Sequence, residues 1–120
     1  MQSQITTSYT VEAWINSKTV AVGSGVLATY GRTIFASSTS TEKPLWVTLR
    51  GNQIWVRTFT GNDPQIQYTI SGMTVDTWYH IAVSATRSGT VRLYVNGLPV
   101  ASAAAGTQFT WNNTACLGDL

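Results

Sequence analysis

The sequence of 120 residues has little of what metal and redox chemistry needs. A single cysteine, Cys116, excludes a disulfide within the chain, and a single histidine, His80, leaves too few ligands for a zinc site. The seven Lys and Arg side chains are scattered, with no two adjacent, so we expect no nucleic-acid partner. No apolar run approaches about 20 residues, so no membrane span is predicted. The first residues also lack the basic and apolar pattern of a signal peptide.

The residues that are abundant indicate a β-protein. Only 10% of the chain is charged and 43% is hydrophobic, while Ser, Thr, Gly, Asn and Gln fill much of the remainder. This composition is typical of secreted or surface β-domains, so we expect an extracellular or cell-surface location. The length allows one domain, residues 1–120, with a single core.

The clearest local signal is a hairpin in residues 78–101. Asn96-Gly97 favours a type I′ turn, the usual two-residue connection between antiparallel strands. Counting outward predicts three pairs: Val95 with Leu98, Leu93 with Val100, and Val91 with Ser102. All five apolar members of this register are predicted to face the core. Pro99 falls opposite Tyr94, and its missing N–H favours a sheet edge or a bulge there.

Alternating apolar residues predict further short strands over 8–17, 26–30, 33–37, 45–50, 53–59, 66–70, 78–85 and 115–120. The first strand carries bulky side chains on both faces, which favours a central position in its sheet. Gly51-Asn52 predicts a type II′ turn that places Trp46 opposite Arg57 and Thr48 opposite Trp55 on the face away from the core. About ten such strands predict a two-sheet antiparallel sandwich.

Two blocks of the sequence resemble a known family. W-Y-H-I-A-V from Trp78, followed by V-R-L-Y-V-N-G-L-P-V-A from Val91, is similar to the LamG-type jelly roll of the concanavalin A-like lectin/glucanase superfamily. Residues 9–15 resemble the first well-marked strand of that family. The resemblance implies an all-β, concanavalin A-like jelly-roll sandwich. The family usually has a further strand at each end, so the resemblance also implies that terminal strands are lacking here.

Missing terminal strands would leave open sheet edges, and open edges pair readily with another chain. We therefore expect a homo-oligomer that covers these edges; a shortened fold with ordered ends is the alternative.

Catalysis is not expected, although the superfamily includes hydrolases. Glycosidases need two carboxylates close together, one acid and one nucleophile or base. The five acidic residues are all more than ten positions apart: Glu12, Glu42, Asp63, Asp76 and Asp119. The family's carboxylate motif is thus absent, and His80 has no nucleophile motif around it. We interpret His80 as a hydrogen-bonded packing residue, and the protein as a non-enzyme.

The resemblance also implies possible calcium binding, because the superfamily often binds this ion through loop oxygens. The candidate ligands are Asn62, Asp63 and Asp76. The same residue types are ordinary turn formers, so a purely structural role is the alternative. No other cofactor is expected.

Five tryptophans and five tyrosines are the remaining distinctive feature. Sugar recognition uses flat aromatic faces with polar groups nearby. Trp46 and Trp55, with Arg57 and Thr48 beside them, match that composition and form the predicted ligand site. A structural cation–π pair of Arg57 on Trp46 is the alternative. We interpret the other tryptophans as core or sheet-edge packing: Trp14, Trp78 and Trp111.

The predicted function is a carbohydrate-binding, lectin-like recognition module whose partner is a glycan or polysaccharide. A structural or adhesion module of a surface or viral fibre protein, binding protein partners, is the first alternative, and a degenerate or partial glucanase is the second. An exposed Trp-rich groove would favour glycan binding, and apolar edges buried between copies would favour the structural or adhesion module. Two facing carboxylates would favour the glucanase.

Overall fold

The computed structural model describes residues 8–37, 45–58, 64–86 and 89–105, and the backbone of 115–119. These residues form two antiparallel sheets and one short helix. The elements in chain order are β1 (Ser8–Asn16), α1 (Val26–Tyr30), β2 (Arg32–Ser37), β3 (Leu45–Arg50), β4 (Gln53–Arg57), β5 (Ile66–Thr69), β6 (Trp78–Thr86), β7 (Thr90–Val95), β8 (Leu98–Ala104) and β9 (Ala115–Asp119). The sheet orders are β1-β6-β7-β8 and β5-β4-β3-β2-β9. The predicted jelly-roll sandwich is therefore confirmed.

The four-stranded sheet corrects one prediction. Strand β1 pairs only with β6 among the described strands, so it lies at an edge rather than in the centre. Its two faces differ in environment: Tyr9 and Ile15 are buried, whereas Glu12 and Trp14 are exposed. The large side chains on the outer face of β1 are therefore exposed to solvent and are not covered by another described layer of the fold.

The hairpin at Asn96-Gly97 is confirmed. Both residues have positive φ, 51° and 81°, as a type I′ turn requires, and Val95 lies opposite Leu98. The predicted register holds at Tyr94 and Pro99 but is wrong beyond them.

A bulge causes this shift of register. Leu93 pairs with Ala101 and Val91 with Ala103, because Val100 is inserted without a partner. The bulge lies next to Pro99 on an edge strand, where a residue without an N–H is tolerated. Leu98, predicted to face the core, is 66% exposed.

The second predicted hairpin is confirmed in the five-stranded sheet. Trp46 lies opposite Arg57, Val47 opposite Val56, and Thr48 opposite Trp55. At its tip Gly51 has a φ of 64° while Asn52 does not have positive φ, as in a type II′ turn.

The prediction of a strand over residues 26–30 is wrong, because these residues form the single-turn helix α1. The N–H groups of Ala28 and Thr29 donate to the carbonyl of Gly25, and Gly31 N–H donates to Leu27. Glycines with positive φ lie at both ends, Gly25 at 59° and Gly31 at 83°. A five-residue apolar run has no periodicity that separates a strand from a helix, so the sequence left this choice open. No helix in the described part of the chain is long and apolar enough to cross a membrane.

The core lies between the sheets and consists mainly of aliphatic side chains from alternate strand positions. Its fully enclosed members are Leu45, Leu49, Ile54, Val56, Val91 and Leu93. Tyr9 and Tyr79 enter the same cluster from β1 and β6.

The two core tyrosines titrate differently. Burial raises the pKa of Tyr9, because the phenolate would lie in the apolar interior. The N–H of Thr74 donates to the hydroxyl oxygen of Tyr79 at 3.0 Å and lowers the pKa of that side chain.

We expect Tyr9 to make the fold sensitive to alkali. A folded pKa above the unfolded value of about 10 gives stability that is fully present below pH 10 and is lost as pH rises further. Denaturant titrations from pH 8 to pH 11 should show a falling free energy of unfolding. The loss should be smaller in Tyr9→Phe. An equal loss in the variant and the wild type would contradict this assignment.

Candidate functional site

Two exposed tryptophans stand on the outer face of the four-stranded sheet. Trp14 is 64% exposed and Trp78 is 62% exposed. The register places Trp14 opposite His80 and Asn16 opposite Trp78 on the adjacent strands β1 and β6. Because side chains alternate along a strand, burial of Ile15 and Tyr79 in the core turns both indoles outward.

The two indoles border a shallow depression of about 460 Å³. Its other lining residues are His80, Asn96 and Gly97, so the tip of the β7–β8 hairpin forms one wall. The backbone N–H of Asn96 donates to the carbonyl of His80 at 2.8 Å, and His80 N–H donates to the Asn96 side-chain oxygen at 2.9 Å. These bonds fix the turn against strand β6. They also commit the amide oxygen of Asn96, which leaves its NH₂ group as the part of the side chain available to a ligand.

Charge enters the site through Glu12 and His80. The Glu12 carboxylate lies 3.5 Å from Nε2 of His80, and the His80 ring packs against Trp14 with centroids 5.1 Å apart at 57°. His80 is thus held between an acid and an aromatic ring, consistent with the predicted packing role. Its side chain nevertheless keeps 20% exposure at the depression.

This arrangement has the chemistry of a stacking site. Flat indole faces can cover the apolar face of a sugar ring, while an imidazole and an amide can bond its hydroxyl groups.

The sequence prediction assigned Trp14 and Trp78 to packing and missed this site. The signal that could have found it is the alternation itself. Trp78 precedes Tyr79 and Ile81 on a strand whose odd-numbered residues are apolar, so the even-numbered positions point to the other face. On β1, Trp14 shares its face with the polar residues Thr10 and Glu12.

The predicted ligand site lies on the other sheet and is largely enclosed. Arg57 and Thr48 are both fully buried, and Nη1 of Arg57 donates to the Thr48 hydroxyl at 3.3 Å. The guanidinium carbon lies 4.4 Å from the ring centre of Trp46, 5.1 Å from that of Trp55 and 5.9 Å from that of Tyr30. Arg57 therefore fills a box of three aromatic rings, which is the geometry of the structural cation–π alternative.

The indole N–H groups of this box already have partners. Trp46 donates to Thr33 at 3.2 Å, and Trp55 donates to Gln53 at 3.0 Å. Both rings are only partly exposed. A sugar could reach their edges but not Arg57 or Thr48, and glycan binding by Trp46, Trp55, Arg57 and Thr48 stays a prediction.

Calcium binding also stays a prediction. Asn62, Asp63 and Trp111 lie outside the described residues, as does the side chain of Cys116. Asp76 forms an ion pair with Lys18, and its backbone has a positive φ of 56°. The described residues contain no group of three or more His, Cys, Asp or Glu that could hold a metal.

Comparison with known proteins agrees with this architecture. The family model described as Concanavalin A-like lectin/glucanases superfamily matches residues 2–119. The protein belongs to this superfamily. The family expected from the Trp78 and Val91 blocks is thereby confirmed. The search of curated protein sequences found no match to this chain.

Solved structures similar to this superfamily member include neurotoxin binding domains. One is described as the binding domain of botulinum neurotoxin DC in complex with rat synaptotagmin II, with a TM-score of 0.67, 14% identity, and coverage of 89% of this chain and 26% of that one. Another, of botulinum neurotoxin type C, has a TM-score of 0.70, 13% identity, and coverage of 96% and 28%. Its description states that cell entry depends on interaction with two ganglioside molecules. The chain thus spans about a quarter of these structures, and at such identity the likeness concerns the fold.

Proposed function

We propose that this protein is a non-catalytic carbohydrate-binding module whose ligand stacks on Trp14 and Trp78. The observation that carries the proposal is the pair of indoles, 64% and 62% exposed, beside one depression with His80 and Asn96. Large aromatic side chains exposed together on a rigid sheet mark a binding surface, because burying them by a ligand is favourable. The gangliosides named for the type C neurotoxin are glycolipids with acidic sugars, so that structural neighbour supports glycan binding by this fold but not the charge of the glycan bound here.

The absence of catalysis is part of the same proposal. Glu12 is the carboxylate beside the indoles, and hydrolysis would need a second one about 5 to 10 Å away. Of the other acidic residues, Asp76 is the one whose side chain the structure describes, and it is paired with Lys18. An extracellular or cell-surface location is also proposed, because the composition is that of surface β-domains and glycans are displayed there.

The test is a calorimetric titration of soluble polysaccharides into the wild type, Trp14→Ala and Trp78→Ala. We expect each variant to weaken binding about tenfold or more, because stacking on one ring contributes on the order of 1.5 kcal/mol. Both indoles are exposed, so the free energy of unfolding should change by less than about 0.5 kcal/mol.

Val26→Ala is the matched control, since Val26 is 72% exposed but lies on α1. It should bind like the wild type. Unchanged affinity in both tryptophan variants would contradict the assignment of the site, and failure of the wild type to bind any soluble polysaccharide, neutral or acidic, would contradict the function.

Protein binding is the second candidate function, and a different surface favours it. The segment that contains α1 exposes four apolar side chains, at 38% to 72%: Val20, Val22, Val26 and Leu27. Synaptotagmin, the partner named for the DC neurotoxin, is a protein. Under this candidate Val26→Ala, rather than the tryptophan variants, would weaken binding to the partner.

A further inference from the structure

We propose that the Trp14–Trp78 site selects neutral glycans and rejects acidic ones. This inference rests on the proposed function, because it concerns the ligand of the same site. It starts from Glu12, whose side chain is 69% exposed and lies 3.5 Å from the depression-lining His80.

The register places Glu12 on the ligand side of the sheet. Glu12 precedes Trp14 by two residues on β1, so both side chains project from the same face. A carboxylate on a ligand ring stacked against Trp14 would approach the Glu12 carboxylate. Like charges repel strongly at the short separations that stacking imposes.

The positive charges nearby do not offset this repulsion. The imidazole of His80 faces Glu12 and is 20% exposed against 69% for Glu12, so the carboxylate is the more accessible of the two groups to a ligand. Lys18 is paired with Asp76. Arg92 shares the outer face, but it lies opposite Ser84, four residues along β6 from His80. Four residues correspond to about 13 Å between backbone positions along the strand, and Arg92 is not among the residues that line the depression.

The net charge of the whole chain predicts the opposite preference. A formal charge of +2 would attract acidic polymers without regard to their structure. A preference for neutral ligands would therefore be due to the Glu12 carboxylate at the site and not to the net charge of the protein.

The experiment uses matched polymers that differ only in charge. Hydroxyethylcellulose, galactomannan and soluble starch are titrated beside the same polymers after oxidation of their primary hydroxyl groups to carboxylates. For the neutral polymer that binds, we expect the oxidised form to bind at least about tenfold more weakly at 0.15 M salt. The difference should shrink at 1 M salt, where the screening length is about 3 Å.

Two variants locate the effect. Glu12→Gln should bring the affinities of the paired polymers within about threefold of each other. Gln67→Lys changes the net charge by the same amount on the exposed face of β5 in the other sheet, and it should leave the tenfold difference in place.

Each result decides between the proposals. Equal affinity for neutral and oxidised polymers, or a preference for the oxidised ones, overturns the selectivity while the proposed function stands. A difference that persists in Glu12→Gln overturns the role of Glu12. If neither the neutral nor the oxidised polymers bind, the proposed function fails and this inference fails with it.

Discussion

Replacing Arg57 by alanine is expected to lower the free energy of unfolding by about 3 kcal/mol, as for other large buried side chains. Its guanidinium lies within 4.4 to 5.9 Å of the centres of three aromatic rings and is fully buried. Alanine would leave a cavity among the rings, remove the desolvated cation–π contacts and remove the hydrogen bond to Thr48. Against a typical total of about 5 to 15 kcal/mol, this loss is large.

Urea denaturation followed by tryptophan fluorescence measures this effect. Arg57→Lys should restore little of the stability, because an ammonium lacks the flat surface that stacks between rings. Arg92→Ala is the control, since Arg92 is an exposed arginine on β7 and its loss should cost less than about 0.5 kcal/mol. A small effect in Arg57→Ala would mean that the aromatic box is not what holds β4.

Replacing Gly31 by alanine is expected to cost about 3 kcal/mol. Gly31 joins α1 to β2 with φ 83° and ψ −179°, a conformation that side chains strongly disfavour. A Cβ atom there would lie 2.7 Å from the carbonyl oxygen of Leu49 and 3.1 Å from the Cβ of Arg50. Because one of these atoms is strand backbone, relief requires β3 or the connection to move.

Gly72→Ala is the matched control. Gly72 also has positive φ, 68°, but a Cβ atom there meets nothing within 4 Å. Its cost should be about 1 kcal/mol, from the backbone alone. Chemical denaturation of the two variants separates the cost of the backbone conformation from the cost of the contact with Leu49. Equal losses in the free energy of unfolding would contradict the close approach at Leu49.

The turns made most of the fold predictable. Asn96-Gly97 and Gly51-Asn52 are specific for tight hairpins, and each turn sets the pairing of its two strands. Alternation then identified the core face of β6. The wrong predictions concern two short segments, the β7–β8 register beyond Pro99 and residues 26–30. The extra residue at Val100 leaves no mark in the sequence except Pro99, and α1 is too short for its period to be recognised.

The candidate site was less predictable because it depends on which outer face is covered. Trp46 and Trp14 stand on comparable outward positions, yet Trp46 packs against Tyr30 from α1 while Trp14 remains 64% exposed. Since residues 26–30 were expected to form a strand, nothing in the sequence placed Tyr30 over the five-stranded sheet. Long-range packing of this kind is not encoded in alternation.

The interruption beside Pro99 also limits how molecules can add to one another. Open-ended fibres grow when both margins of a sheet accept a neighbour. At β8 an incoming strand would meet a residue that cannot donate and a ladder broken by the Val100 bulge. An added strand can therefore pair with the four-stranded sheet only at its β1 edge. When two copies pair through β1, that edge is covered in both copies. Contacts made through the four-stranded sheet alone would therefore end at a pair of molecules.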